Sequence, residues 1–376
     1  MKKIVLVGGG TGGHFYPLIA IAEALKEESV KRGSVTPELY YFGPDEYDKE
    51  ALAAMSIRFV YCPSGKKRRY FSPKNFFDIF KVLYGMYVAF TKLFLIYPDV
   101  IMSKGGYTSV PVVLAGWFLR IPIVVHESDA VPGKANKLAA HFARYIAVTY
   151  PDTLEKFPKK KTAISGIPVR KALLEPVSGN VYSTLGVEEN VPIILVFGGS
   201  QGAERINTLV LDSLDELLPN YSIVHQTGDA HFEDVKNTAS SLISNQDLLS
   251  RYHPIAFLQG PTLNQAMHAA SMIISRAGSG SIYEIALHGK PSIIIPIPEA
   301  ISHDQRTNAY AYARTGAAAV IEEENMRDNL LAAEINRIIG DQEMYRAMGQ
   351  AALSFAEPYA AEKVALTLIE IADEHL

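Results

Sequence analysis

Several glycine-rich stretches of this 376-residue chain each follow a short apolar run and carry side chains suited to phosphate or sugar chemistry. The first reads Gly8-Gly9-Gly10-Thr11-Gly12-Gly13 and is followed by His14. Gly8, Gly10 and Gly13 satisfy G-x-G-x-x-G. Glycine lets the backbone approach a phosphate, and a helix start behind it offers unpaired N–H groups at the positive end of the helix dipole. A nicotinamide dinucleotide would also need an acid about 20 residues on, at the end of the second strand. That strand ends at Phe42-Gly43 and the first acid is Asp45, behind a proline, so the fingerprint is incomplete. The plain alternative is a tight turn that binds nothing. His14 falls at the expected helix start, where the dipole disfavours imidazolium and keeps the ring able to act as a base. A histidine that only lines the turn is the alternative there.

Two further stretches repeat the pattern: Gly105-Gly106-Tyr107-Thr108-Ser109-Val110-Pro111 and Gly198-Gly199-Ser200-Gln201-Gly202. A fourth constellation runs Ser275-Arg276-Ala277-Gly278-Ser279-Gly280-Ser281-Ile282-Tyr283-Glu284. With Ser281 as N-cap, Glu284 takes the capping-box position and bonds the helix start. The functional alternative is a carboxylate that accepts both ribose hydroxyls of a nucleotide. Beyond Pro296-Ile297-Pro298 comes His303-Asp304-Gln305-Arg306-Thr307-Asn308-Ala309. That polar group either reads a sugar with amide and carboxylate groups or is a solvated loop.

Positioning such loops is the work of a parallel α/β scaffold. Strand-like runs at 4–7, 39–42, 58–62, 100–102, 123–126 and 145–148 are followed by a second series at 193–197, 223–226, 255–258, 272–274, 292–295 and 317–321. Helical patterns lie between them, at 18–27, 135–143 and 263–270 among others. Strand, loop, helix, strand is the grammar of doubly wound domains. The pattern restarts at 193, so two such domains are expected, joined near 165–168 or slightly later, with ligands at the carboxyl ends of the strands.

Composition narrows the function classes. The chain has 36 Lys plus Arg and 40 Asp plus Glu, a net charge of −4, which makes a poor general nucleic-acid binder. A single cysteine, Cys62, excludes an intrachain disulfide and a cysteine-based zinc knuckle. The first apolar run spans only 4–7 before glycine ends it, too short for a secretion signal. No run reaches the roughly 18–20 residues of a membrane span.

One segment runs against the overall charge. Lys66-Lys67-Arg68-Arg69 precedes an aromatic stretch, and residues 64–81 hold six basic side chains against one acid, Asp78, so 6 − 1 = +5. Phe76, Phe80, Leu83, Tyr87, Phe90 and Phe94 alternate by four and three residues, one face of a helix, with Asp78, Lys81, Gly85 and Lys92 on a narrow polar stripe. Part of this helix belongs to a domain interior. The basic cluster beside it favours anionic lipid at roughly 1 kcal/mol per residue, so peripheral docking on the cytoplasmic leaflet is expected, with Trp117 as an additional anchor.

Gly9-Gly10-Thr11-Gly12-Gly13-His14, Gly105-Gly106-Tyr107, His126-Glu127, Gly166-Ile167-Pro168-Val169-Arg170, Gly198-Gly199-Ser200-Gln201-Gly202-Ala203 and Arg276-Ala277-Gly278 with Glu284 occur in this order. Together they resemble the MurG family, N-acetylglucosaminyltransferases that convert lipid I to lipid II in peptidoglycan synthesis. The resemblance covers nearly the whole chain. It implies a GT-B fold: an acceptor- and membrane-binding domain at 1–165, a donor domain at 166–357, and a last helix at about 358–376 packing back on the first. It implies UDP-N-acetylglucosamine as donor and undecaprenyl-diphosphate-linked N-acetylmuramyl-pentapeptide as acceptor, with no cofactor and no metal. The absence of an Asp-x-Asp motif agrees. It also brings cell-wall or division proteins into view as partners, and a place on the inner face of the cell membrane.

Carried over by position, Glu284 holds the ribose. Ser200, Gln201 and Gly202 line the diphosphate, with Arg170 near it, and Asp304 and Gln305 meet the sugar hydroxyls. Thr11, Gly12, Gly13, Arg276 and Gly278 complete the donor set. His14, Gly106, Tyr107, Glu127 and Asp129 take the acceptor. The implied reaction is an inverting displacement by the 4-hydroxyl of the N-acetylmuramyl sugar, with His14 as base. The chain departs from the family's pattern at Lys104, at Ser128-Asp129 in place of Gln-Asn, and at Asp304 in place of a glutamine. Another lipid acceptor, or a UDP-N-acetylglucosamine 2-epimerase, is the competing reading.

Overall fold

The computed structural model describes residues 2–65, 74–177, 179–198, 203–258, 260–299, 303–326 and 329–374, for 74–79 and 303 as backbone only. The short apolar runs become strands because both of their faces are covered, which is the condition a parallel sheet imposes. In the first unit these are β1 (Lys3–Gly8), β2 (Glu38–Gly43), β3 (Arg58–Tyr61), β4 (Val100–Gly105), β5 (Ile123–Glu127), β6 (Tyr145–Val148) and β7 (Thr162–Ile164). They form one parallel sheet in the order β3-β2-β1-β4-β5-β6-β7, with Ile4 opposite Leu39 on one side and Val100 on the other. In the second unit β8 (Ile193–Phe197), β9 (Ser222–Gln226), β10 (Tyr252–Ile255), β11 (Met272–Ser275), β12 (Ser292–Ile294) and β13 (Ala318–Val320) form a parallel sheet in the order β10-β9-β8-β11-β12-β13. In both, the order reverses beside the first strand, between β1 and β4 and between β8 and β11. Such a reversal opens a crevice at the carboxyl ends of the strands.

The first unit comprises Met1–Lys171 with Glu357–Leu376, and the second Ala172–Ala356. One face of the first sheet is covered by the helix Gly12–Lys31 and by the last helix, Ala360–Asp373, which packs on it and on β1 and β4. Val364, Leu368, Ile369 and Ile371 of the last helix are buried in that layer. Burial of a Leu or Ile contributes about 1.5–3 kcal/mol. The chain end is therefore an integral part of the first unit's core. Ion pairs from Lys2 to Asp373 and from Arg144 to Glu374 hold its tip. In the second unit β8, β9, β11 and β12 are buried along their whole length, and β8 and β11 lie between two apolar layers that include Ile206, Leu331 and Ile335 on one side and Ile282, Ile285 and Tyr312 on the other.

Three sequence expectations need correction. The strand β7 was not anticipated: it is a three-residue edge strand with Ala163 and Ile164 exposed, so it lacks a buried apolar run. The strand expected at 255–258 sits instead at Tyr252–Ile255, where it includes Pro254. Proline is tolerated because β10 is an edge strand and needs no outward N–H. The helix Lys74–Ile96 turns differently from the expected amphipathic wheel. Gly85 faces inward, where a Cβ would come within 2.0 Å of the Pro63 carbonyl oxygen and 3.2 Å of the Pro111 ring. Gly85 and Ala89 let this helix lie close against the helix Ser109–Phe118, and the large residues are left outside. Phe80, Leu83, Tyr84, Tyr87, Phe94 and Leu95 are all more than half exposed, at 55–76%.

Candidate active site

The first glycine loop leaves β1 with Gly10 at φ +91°, a conformation that favours glycine, and a Cβ there would meet the Tyr107 ring at 2.9 Å. The loop after the neighbouring β4 uses Gly105 at φ +91° and Gly106 at φ +79°. The two loops thus meet at the switch point of the first sheet. The Tyr41 hydroxyl donates to the Gly8 carbonyl at 3.1 Å and anchors the end of β1. Thr11 is the N-cap of the helix Gly12–Lys31, yet its side chain does not cap it. Its hydroxyl bonds His14 Nδ1 at 2.8 Å, and its carbonyl accepts from the His14 N–H at 3.1 Å. Thr11 therefore fixes the His14 ring.

His14 is pushed down from 6.5 to about 4, first by burial, then by the Lys104 ammonium, against the opposing influence of Asp129. The expected dipole effect is not the leading cause: burial and a cation keep the ring neutral. Lys104 is 1% exposed and donates to the Ser128 hydroxyl. Burial lowers its value to about 8, while Glu127 and Asp129 oppose the shift. The Glu127 carboxyl is buried and raised by that burial. It accepts from the N–H groups of Asp129 at 3.0 Å and Gly133 at 2.9 Å and from the Asn136 amide at 3.0 Å. Glu127 is thus the brace of the loop that carries Asp129. His126 Nε2 pairs with the Gly166 carbonyl at 2.7 Å. Arg170 stands over the Tyr16 ring, 5.0 Å from its centroid, in the same unit as His14.

In the second unit, Gly198 follows β8, whereas Ser200, Gln201 and Gly202 lie outside the described residues. Across the switch point, after β11, Gly278 is the N-cap of the helix Ser279–Leu287. This corrects the expected capping box: Ser281 is already inside the helix and Glu284 lies a turn further along it. Gly278 holds the last extended position before the helix, at φ −65° and ψ 133°. A Cβ at Gly280 would meet nothing within 4 Å, and one at Gly278 only the Ser281 hydroxyl at 3.9 Å. The start of this helix is therefore sterically open.

Behind it, Arg276 is committed to the scaffold. Its guanidinium pairs with Glu323 in a nearly buried ion pair and donates to the carbonyls of Ile295 at 3.2 Å and Pro296 at 3.4 Å. From the helix His303–Ala313, Gln305 accepts from the Ile297 N–H at 3.3 Å and Asn308 donates to the Ala277 carbonyl at 3.3 Å. Arg276, Gln305 and Asn308 thus tie together the two turns that border Glu284 and Asp304, both half-buried. Sequence reading missed Asn308 and Glu323 as members of this group. Glu323 is 47 positions from Arg276 with no motif around it, whereas Asn308 lay inside a polar stretch already singled out.

Of the lipid-facing set, Phe80, Leu83, Tyr87 and Trp117 are exposed. Trp117 packs on Phe142 at 4.8 Å and Phe118 on Phe90 at 5.7 Å. Lys66, Lys67, Arg68 and Arg69 and the Phe76 side chain lie outside the described residues. Among those residues no helix is long and apolar enough to cross a membrane.

Two doubly wound parallel sheets, each with a glycine-bearing turn at its switch point, place the chain in the GT-B fold class. The N-terminal domain of glycosyltransferase family 28 matches residues 4–148 and its C-terminal domain residues 193–364. A relative from Bacillus thuringiensis subsp. konkukian, the UDP-N-acetylglucosamine–N-acetylmuramyl-(pentapeptide) pyrophosphoryl-undecaprenol N-acetylglucosamine transferase 2, is 37% identical over 92% of this chain and 94% of its own. One of the same description from Clostridium botulinum is 35% identical over 92% and 93%. Among solved structures, Acinetobacter baumannii MurG superposes with a TM-score of 0.75 at 22% identity, covering 98% of this chain and 100% of that one. The UDP-N-acetylglucosamine 2-epimerase of Neisseria meningitidis gives 0.70 at 16% identity over 98% and 100%, a likeness of fold. The chain belongs to the MurG group of glycosyltransferase family 28.

Proposed function

We propose that this chain transfers N-acetylglucosamine from UDP-N-acetylglucosamine to the 4-hydroxyl of the N-acetylmuramyl sugar of undecaprenyl-diphosphate-linked N-acetylmuramyl-pentapeptide, releasing UDP. The observation that carries the residue assignment is the His14 ring, fixed by Thr11 at 2.8 Å and neutral at physiological pH. When Nδ1–H donates to the Thr11 hydroxyl, Nε2 holds the lone pair and takes the proton of the attacking hydroxyl. The hydroxyl oxygen bonds the anomeric carbon from the face opposite UDP. The bond from that carbon to the diphosphate oxygen breaks, and the configuration inverts.

The first unit takes the acceptor and the membrane, with Gly106, Tyr107 and Asp129 beside His14 and Glu127 bracing the loop. The second takes the donor. The open helix start at Gly278 offers N–H groups to the leaving diphosphate. Glu284 accepts the ribose hydroxyls, Asp304 and Gln305 meet the sugar, and Arg276 acts on the site by holding its turns. Ser200, Gln201 and Gly202 complete the diphosphate loop, and Arg170 is a further cation for the diphosphate. The exposed aromatic side of the helix Lys74–Ile96, with Trp117 and the 66–69 basic cluster, docks on an anionic leaflet.

The deciding experiment measures UDP release from UDP-N-acetylglucosamine with and without a short-chain lipid I analogue and without added divalent metal. Release that depends on the acceptor and yields a disaccharide is expected. Release without acceptor, with free N-acetylmannosamine as product, overturns the transferase reading in favour of an epimerase.

A further inference from the structure

A buried lysine is costly, and Lys104 is buried inside the sheet end that carries His14. It stands on β4 immediately before Gly105-Gly106, so its backbone is part of the second glycine loop. Its side chain runs under the first loop: a Cβ at Gly8 would come within 2.7 Å of the Lys104 Cβ. The ammonium ends at the Ser128 hydroxyl, on the turn that follows β5. Ser128 is itself 8% exposed, so the bond is shielded from water. The ammonium is faced by Glu127 and Asp129 and by the rings of His14 and His126. His14 in turn is faced by Lys104 from β4 and by Asp129 from the turn after β5, with Thr11 on its own element.

One cation thus joins three chain segments that are remote in sequence: the loop after β1, the end of β4 and the turn after β5. Glu127 braces the far side of that turn through Asp129 and Gly133, together with Thr153 and Lys156 on the Asp129 and Ala130 carbonyls. Lys104 supplies the brace on the near side. We infer that Lys104 is a positioning residue of the transfer reaction: its ammonium, bonded to Ser128, fixes the Ser128-Asp129 turn opposite His14 and sets the charge that the His14 ring meets. Burial sets most of the His14 shift, and Lys104 and Asp129 then act on the ring with opposite sign. Removal of the ammonium takes away the charge that counters Asp129 at the ring, which favours imidazolium while burial still disfavours it.

The kinetic half rests on the reading of His14 as base, and the test separates the two. In the full-length protein with ¹³C-labelled histidine, the His14 ring is assigned by the resonance lost in His14→Ala and titrated in wild type and Lys104→Met. The midpoint is expected to rise by about one pH unit, tenfold in proton affinity, in Lys104→Met. The acid limb of kcat/KM for a lipid I analogue is expected to rise with it, and kcat to fall more than the acceptor KM changes. An unmoved ring titration overturns the inference. A moved titration with an unmoved acid limb overturns the assignment of His14 as base instead. Should Lys104→Met fail to fold, Ser128→Ala keeps the charge and removes its partner. It is expected to lower kcat about tenfold, the size of a lost hydrogen bond to a charged group, with the His14 midpoint still low. An unchanged kcat in Ser128→Ala overturns the positioning role.

Discussion

The two switch points share a topology and differ in how their polar groups are used. At the end of β1 and β4, charges and titratable rings face one another: Lys104, Glu127, Asp129, His14 and His126. At the end of β8 and β11, the described polar side chains mostly grip backbone: Arg276 on Ile295 and Pro296, Gln305 on Ile297, Asn308 on Ala277. A network of charges can move a proton, because each protonation state is felt by the others. A network of backbone clamps cannot, but it holds turns in one shape, which is what reading a nucleotide sugar needs. The same scaffold therefore carries a reactive half and a gripping half.

The strongest test of that contrast is His14→Ala. Loss of the base is expected to lower kcat ~10²–10⁴-fold with UDP-N-acetylglucosamine affinity kept, measured by steady-state UDP release and by donor binding. Turnover within a few-fold of wild type would move the proton transfer elsewhere. The counterpart in the gripping half is Glu323→Ala, which strands the Arg276 guanidinium in a nearly buried setting. Breaking such a pair costs ~3–5 kcal/mol, so the second unit is expected to unfold at lower denaturant than the first. Hydrogen exchange resolved by segment reads this directly, with β11 and β12 losing protection while β1 and β4 keep theirs. Equal loss in both units would mean that the ion pair is not a local clamp.

Much of the scaffold was legible because the parallel strands are short runs of Ile, Val and Leu ended by glycine, as at 4–7 and 193–197. β7 was not, since Ala163 and Ile164 are exposed, and β10 falls three residues before its expected place because Pro254 interrupts its run. The glycine loops, His14 and Glu284 stood out as motifs. The way these groups are wired did not. Lys104 and Ser128 touch across 24 positions, and nothing in either stretch marks the other as its partner. Gly85 was read onto a solvated stripe because it lacks a side chain. In a helix, the residue with no side chain marks the face where another element comes closest.

Acidification offers a third probe, spread over both halves. His14 falls from 6.5 to about 4 and His225 from 6.5 to about 3, both chiefly through burial, and His126 lies well below its ordinary value for the same reason. Each folded-state value is below the unfolded one, so the unfolded chain binds the proton first. The stability these neutral rings hold is complete above about pH 6.5 and is lost as pH falls, to about 4 for His14 and to about 3 for His225. The slope is ~1.4 kcal/mol per pH unit for each ring. His225 is pinned between Tyr252 at 2.8 Å and Asn207 at 3.1 Å, so the second half carries its own acid-sensitive site. Denaturant midpoints at pH 7 and 5 are expected to drop for both units, and His225→Gln to flatten the dependence in the second unit alone. A flattening in both units would show that the halves unfold together.

The smallest effect concerns a difference outside the two sites. The first unit exposes Phe80, Leu83, Tyr84, Tyr87, Phe94 and Leu95 along one helix, with Trp117 and Phe118 on its neighbour. The large exposed apolar residues of the second unit, such as Leu242, Phe257 and Leu353, come singly from separate elements. An apolar surface of this kind is the one proposed above to dock on the leaflet, whereas scattered residues need no explanation. Replacing Tyr87 and Phe94 with serine removes apolar area from exposed positions, Phe94 giving up its stacking on Phe90, so the fold is expected to keep its stability to within ~1 kcal/mol. Sedimentation with anionic vesicles is expected to weaken several-fold, since each side chain withdraws only part of the buried area. Unaltered vesicle binding in that variant would shift the contact to the basic cluster at 66–69 alone, and a loss of stability would instead make the aromatic surface part of the first unit's own packing.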